Sequence, residues 1–307
     1  MIQRLLPFLT LIVLAAALAI ASPNFLTGTN LSSVVRQTAV INIVSLGMTV
    51  IMIAGGIDLS VGAVLAIGGL AGTMAMAAGL PVPLGVLLGI GTGLFWGFVN
   101  GLLTATLRIP PFIVTLGTLG IVRGIALIVS NGLPVHRLPR SFSFLGEGNL
   151  LGVPFVLWIL VVCALLTHAV LEHTRMGRYA SAIGSNLEAA VYAGVPVAFH
   201  TVAVYAFGGM LTGLAGMIEA SRLMTGQPMA GVGYELQAIA AVVIGGGSLH
   251  GGEGSVTGTL VGAFIMGLLA NGSDLLGINP YWQQAIIGAV IILAVAIDEL
   301  RKRRMSA

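Results

Sequence analysis

Few side chains in this sequence are of types that do chemistry, and their spacing says which chemistry is open to them. Lys302 is the single lysine, and it stands between Arg301 and Arg303. A phosphate-cradling loop needs Gly-Lys followed by Ser or Thr, so the chain cannot hydrolyse a nucleotide through that motif. No His-Glu-x-x-His occurs, and His168 and His173 are five residues apart. That interval falls off the three- and four-residue spacing of one helix face. His136, His200 and His250 are scattered, so no metal site is expected. Gly-x-Ser-x-Gly is absent, and Cys163 is the only cysteine, which excludes an intramolecular disulfide. Nothing in these patterns forms an enzyme active site.

What remains is a small set of charges inside apolar sequence. Asp58 lies in the break Gly55-Gly56-Ile57-Asp58-Leu59-Ser60. An Asp there can accept backbone N–H bonds at the start of a helix, or it can face a solute route. Arg123 stands seven residues before Ser130, about 10 Å from that helix end. It can snorkel outward or hold a structural partner. A row of intramembrane carboxylates of the kind that couples proton or sodium flow to transport is missing.

The elements that position these residues follow from composition. Only 7% of residues are charged and 57% are hydrophobic, and Leu59 to Leu107 carries no ionisable side chain. Soluble domains are about 25% charged, whereas a lipid-embedded chain must keep charge out of hydrocarbon. Apolar segments fall near 5–21, 38–55, 60–78, 84–106, 112–130, 154–171, 197–218, 237–250, 255–270 and 283–298. Each approaches the roughly 20 residues that cross a bilayer. The 44 glycines suit close helix approach in lipid. Gly245 to Gly252 separates two short segments, as a tight loop or as a broken helix of the kind transporters use near their pathway. The first 22 residues also have a signal-peptide layout, with Arg4, an apolar run and Ala19-Ile20-Ala21. With so many segments following, a retained first span is expected.

Ten spans place both termini on one side. Counting Lys and Arg gives eight on that side (Arg4, Arg108, Arg175, Arg178 and the four at 301–304) and four on the other (Arg36, Arg137, Arg140, Arg222). The richer side is the cytoplasmic one by the positive-inside rule. The basic tail 299–307 then reads as a cytoplasmic end and not as a nucleic-acid patch. Residues 131–153 are expected outside and 172–196 inside. The internal segment is longer than a minimal turn needs, and a short surface helix with a docking role is expected in it.

Several motifs, in order along the chain, carry a resemblance. Ile53-Ala54-Gly55-Gly56-Ile57-Asp58-Leu59-Ser60-Val61-Gly62 resembles a hallmark of the ribose/xylose/arabinose-type sugar ABC importer permeases. The similarity continues through Pro111-Phe112-Ile113-Val114-Thr115-Leu116-Gly117-Thr118, Arg123-Gly124, Gly177-Arg178, Ala182-Ile183-Gly184-Ser185-Asn186, Ala189-Ala190 and the glycine-rich 245–255. Glu188-Ala189-Ala190-x-x-x-Gly194 is similar to the start of the general EAA signature of importer permeases, although the later Ile-x-Leu-Pro part is absent. The resemblance implies an all-α, polytopic membrane bundle of about ten transmembrane helices, similar to type II ABC importers. One permease domain would span 1–307, with 172–196 as the coupling loop.

It also implies a division of labour. The chain would form half of a channel in the bacterial inner membrane, paired with a second copy or a homologous permease. It would bind no cofactor; ATP and Mg would sit on separate ATPase subunits, and a periplasmic sugar-binding protein would deliver the solute. Gly177, Arg178, Gly184, Asn186, Glu188, Ala189, Ala190 and Gly194 would form the ATPase-coupling surface, with Gly184 and the two alanines allowing close approach and Asn186 and Glu188 bonding across it. A neutral sugar needs a wet, weakly binding route. Asn42, Ser45, Thr49, Asp58, Thr115 and Thr118 are the candidates for it, although Ser and Thr on spans often bond their own helix. Arg137, Arg140, Arg222 and Glu235 are the candidates for docking the binding protein. The rival is an ion-coupled secondary carrier of a small polar solute. The identity of the sugar is not encoded in these motifs.

Overall fold

The computed structural model describes residues 2–279 together with 281, 282, 284–290, 292, 293 and 296. It is predominantly helical: α1 (Ile2–Ala21), α2 (Gly28–Ile53), α3 (Val61–Ala77), α4 (Val82–Leu107), α5 (Pro111–Ser130), α6 (Phe144–Glu147), α7 (Phe155–His173), α8 (Arg175–Ser185), α9 (Leu187–Tyr192), α10 (Val197–Leu223), α11 (Tyr234–Ile244) and α12 (Val256–Leu275). Local sequence sets the boundaries. Thr27 and Ser255 cap α2 and α12, their hydroxyls accepting the N–H of Asn30 at 3.4 Å and of Gly258 at 3.1 Å. Pro83 and Pro111 sit in the first turns of α4 and α5, where a missing N–H costs nothing.

Nine of the ten apolar segments overlap helices, the segment 237–250 only as far as Ile244. The tenth, 283–298, lies largely outside the described residues, as does the tail 299–307; the described stretch 284–290 is helical. Six helices among the described residues are long and apolar enough to cross a membrane: α2, α4, α5, α7, α10 and α12. The residues of α1 from Leu5, α3 and α11 are shorter apolar helices. With 11 residues, α11 reaches about 16 Å, half of the hydrocarbon thickness. A count of apolar segments therefore does not translate directly into crossings.

The core is organised on α10, which packs against α4, α3 and α2. The buried residues of α4 are Gly85, Gly89, Gly93, Gly97, Asn100 and Gly101, a stripe at four-residue spacing that lies on one helix face. It meets Gly209, Gly213 and Tyr205 of the antiparallel α10. A Cβ on Gly93 would stand 2.6 Å from the Gly213 Cα, and one on Gly101 would stand 2.7 Å from the Val202 Cα. In lipid no hydrophobic force joins two apolar helices. Close backbone approach supplies dispersion contacts in its place.

Two ends of the bundle can be told apart. One carries α8 and α9. The opposite one carries residues 131–153, folded as a 3₁₀ turn (Arg140–Ser143), α6 and a hairpin of β1 (Asn149–Leu150) and β2 (Val153–Pro154). This lid is fastened to the bundle. The Ser221 hydroxyl donates to the Phe142 carbonyl at 2.5 Å and accepts from Gly146 N–H at 2.9 Å, and Arg36 pairs with Glu147 at 3.3 Å.

Candidate functional site: a glycine junction beneath a surface helix pair

Residues 172–196 form two helices where one was expected. Asn186 separates them. Its side chain accepts the Ala189 N–H at 2.9 Å and so caps α9. Gly194, at φ 76°, ends α9, with its N–H on Val191 O and that of Val195 on Ala190 O.

The inner face of α8 is built to touch the membrane helices. Gly177 lies against Leu171, where a Cβ would come within 2.4 Å of the Leu171 Cα, and Ala180 and Ile183 are buried. At its last turn, a Cβ on Gly184 would collide with the Ile53 carbonyl and stand 2.6 Å from the Gly252 nitrogen. Gly252 N–H donates to that same Ile53 carbonyl at 2.9 Å. Gly251, at φ 91°, sits so that a Cβ would be 2.8 Å from both the Gly184 and the Gly55 Cα atoms. Three segments thus meet backbone to backbone: the break after α2, the end of α8, and the 245–255 break between α11 and α12. The closest approaches there are between backbone atoms, with the Ser185 side chain beside Gly252.

The expected coupling residues fall at several places in this arrangement. Gly184 makes its close approach within the chain, and Asn186 uses its side-chain oxygen on its own helix. Arg178, Glu188, Ala189 and Gly194 are exposed, and Ala190 is buried. The exposed surface also presents Leu187, Val191, Tyr192 and Phe199, with Tyr192 at 89% exposure. Sequence reasoning passed over these four. For Leu187, Val191 and Tyr192 the signal was large apolar residues flanking Glu188 in a segment otherwise read as hydrophilic; Phe199 belongs to the apolar segment 197–218.

The route candidates lie on α2, on α5 and in the 54–60 break. Asn42, Ser45 and Thr49 are fully buried on α2, which packs against α10, α12, α7 and α11. Asn42 donates to Thr38 O at 2.9 Å, Thr49 to Ser45 O at 2.8 Å, and the Thr49 and Thr259 hydroxyls are 2.6 Å apart. Thr118 is also buried. The Thr115 hydroxyl accepts Leu59 N–H at 3.1 Å and lies 3.2 Å from Ile57 O, which ties α5 to the 54–60 break. Asp58 is 2% exposed. Its Oδ1 accepts both the N–H and the hydroxyl of Ser60, at 2.8 and 2.6 Å, and Asn100 donates to that hydroxyl at 2.9 Å. This is an Asx-type turn that launches α3.

Among the docking candidates, Arg137 and Arg140 are exposed. Arg222 grips Glu219 at 3.0–3.1 Å through its Nε and one terminal nitrogen. Glu235 Oε1 accepts Gly233 N–H at 3.2 Å. Arg123 donates through Nη1 to the carbonyls of Pro228 at 2.6 Å and Ala230 at 2.9 Å, so it holds a structural partner. Among the described residues, no cluster of three His, Cys, Asp or Glu side chains could hold a metal ion.

Sequence comparison says what kind of protein this multi-pass helical bundle is. The profile described as branched-chain amino acid transport system / permease component matches residues 30–295, and the chain belongs to that family. It is 41% identical to the ribose import permease protein RbsC of Escherichia coli K12 over 96% of this chain and 93% of that one. It is 40% identical to RbsC of Bacillus subtilis over 96% and 92%. Identity with the D-allose transport system permease protein AlsC of E. coli is 35% over 95% and 90%. No solved structure matches the chain significantly. The chain is a membrane permease of the sugar ABC-importer type.

Proposed function

We infer that this permease imports a monosaccharide or a related small polyol across the bacterial inner membrane, driven by separate ATPase subunits and fed by a periplasmic binding protein. The observation that carries the reading is identity at the 40% level, over nearly the full length, with permeases named for ribose import. The α8–α9 end faces the cytoplasm in this reading, as does each terminus. Arg178, Glu188 and the apolar Leu187, Val191 and Tyr192 then form the ATPase-docking face. Gly184 passes the movement to the two breaks. On the periplasmic side the lid 131–153, with Arg137 and Arg140 exposed and Arg222 behind them, receives the binding protein; Glu235 lies deeper, beside Gly62 of α3. About ten crossings result if α1, α3, α11 and the helix containing 284–290 cross along with the six long helices. Two copies, or one copy and a homologous permease, complete the channel.

The test is uptake in cells. Disrupting the gene for this chain should abolish energised uptake of one labelled sugar from a panel of ribose, allose, arabinose and xylose, and restoring the gene should recover it. Unchanged uptake of every sugar in the panel would remove the assignment.

A further inference from the structure

Residues 224–233, which join α10 to α11, form an irregular segment, with Met224, Gly231 and Gly233 at positive φ. The segment does not stay at the end of the bundle. A Cβ on Gly226 would strike the Thr73 hydroxyl, and one on Gly62 would strike the Gly231 carbonyl. Thr73 and Gly62 both lie on α3, separated along its axis by about 16 Å. The chain therefore leaves the lid end beside Val135, with which Gly226 exchanges two backbone hydrogen bonds, and descends along α3 into the body of the bundle. There α11 begins, which explains why that helix is half length.

Irregular backbone at membrane depth is tolerated only where protein covers it or water reaches it, because hydrocarbon cannot satisfy its polar groups. In this chain Met229 and Val232 are 54% and 60% exposed, so none of the described residues covers that edge. The segment is nevertheless fixed in place. Arg123 on α5 holds the Pro228 and Ala230 carbonyls at 2.6 and 2.9 Å, and Glu235 acts electrostatically on the guanidinium. Asn42, Ser45 and Thr49 on α2, by contrast, are fully buried, and Thr49 meets Thr259 of α12.

We propose that the descending segment 224–233 forms a wall of the aqueous solute route, that Met229 and Val232 lie along the edge met by a neutral polyhydroxy solute, and that Arg123 is the positioning residue that pins this wall. The proposal rests on the permease reading and adds a location to it. Three groups compete for the exposed edge: water with solute, lipid, and a tightly apposed second copy. Only the first makes a thiol placed there reactive, because the thiolate is the reacting form and needs water.

Cysteine accessibility decides between them. In a Cys163→Ser background, Met229→Cys and Val232→Cys are compared with Leu87→Cys on the outer face of α4, a position 62% exposed. Each variant is expressed with its partner subunits, checked for energised uptake, and treated in membrane vesicles with a charged, membrane-impermeant methanethiosulfonate. Cysteines at 229 and 232 should react about tenfold or more faster than the cysteine at 87, and the modification should block uptake. If both react as slowly as the control while uptake is intact, lipid or a second copy covers the edge and the proposal fails. Absence of energised uptake by the unaltered chain would instead defeat the permease reading. Adding Arg123→Ala to Met229→Cys should change the labelling rate severalfold at an unchanged level of chain in the membrane, and Arg123→Lys should recover part of the original rate. An unchanged rate would remove Arg123 from its role.

Discussion

The α4–α10 contact and the junction of Gly55, Gly184 and Gly251 are both made of glycine, yet they use it in opposite ways. Along α4 and α10 the glycines are helical, evenly spaced, and joined over the length of two spans. That contact is long, and small errors anywhere in it add up. At the junction, Gly55 and Gly251 have φ of 78° and 91°, conformations that cost an L-residue about 1–2 kcal/mol. The junction is a point contact between segments that are not otherwise continuous. The first region should behave as a rigid spine that sets whether the protein exists. The second should behave as a transmission point that sets whether it works.

The largest expected effect breaks the spine. Gly93→Leu or Gly213→Leu forces a side chain into backbone at 2.6–3.1 Å, and overpacking of this kind costs several kcal/mol. The amount of folded chain in the membrane, measured by immunoblot and detergent-resistant gel-filtration profile, should fall to background. Next comes the junction. Gly251→Ala should leave at least about half of the chain in the membrane while energised sugar uptake falls about tenfold or more, a loss equivalent to about 1.4 kcal/mol of coupling. If Gly251→Ala and Gly93→Leu gave the same loss of folded protein, the distinction between spine and transmission point would disappear.

Two smaller effects sharpen the transmission side. Glu188→Arg reverses an exposed charge on α9 without touching the core, so it should reduce co-purification of the ATPase partner and uptake together at unchanged chain level. Asn186→Ala removes the α9 cap, worth about 1 kcal/mol, and should lower uptake only a few-fold. The smallest change is expected from Thr49→Ala. It deletes one interhelical hydroxyl contact, of a kind that averages about 0.6 kcal/mol in membranes, and uptake should stay near wild type. A large loss at Thr49 would restore the α2 stripe as a working part of the route.

Much of this architecture was legible in the residues, for reasons that differ from place to place. The break at Gly55-Gly56 was readable because two glycines and an Asp interrupt an otherwise unbroken apolar run. The start of α2 was not. Asn30, Ser32, Ser33, Arg36 and Gln37 lower the hydropathy, so the apolar signal begins near 38, yet the Thr27 cap starts the helix at Gly28. The surface position of 172–196 was read from its charges, but the partner of Gly184 was not, because a glycine records that something comes close and not what. The descent of 224–233 along α3 left the weakest mark. Its glycines and Pro228 read as an ordinary turn, and its depth is fixed by contacts with Gly62, Thr73 and Arg123, all more than 100 residues away in sequence.

The central claim is that this chain is a conduit without an engine of its own, driven through α8 and α9. Its most direct test is uptake of labelled sugar into proteoliposomes holding the purified chain, with or without its ATPase subunits and binding protein. The account predicts accumulation above the external concentration only when the ATPase, ATP and the binding protein are all present, and its loss with Gly251→Ala. Uphill accumulation by the chain alone, driven by an ion gradient, would contradict it.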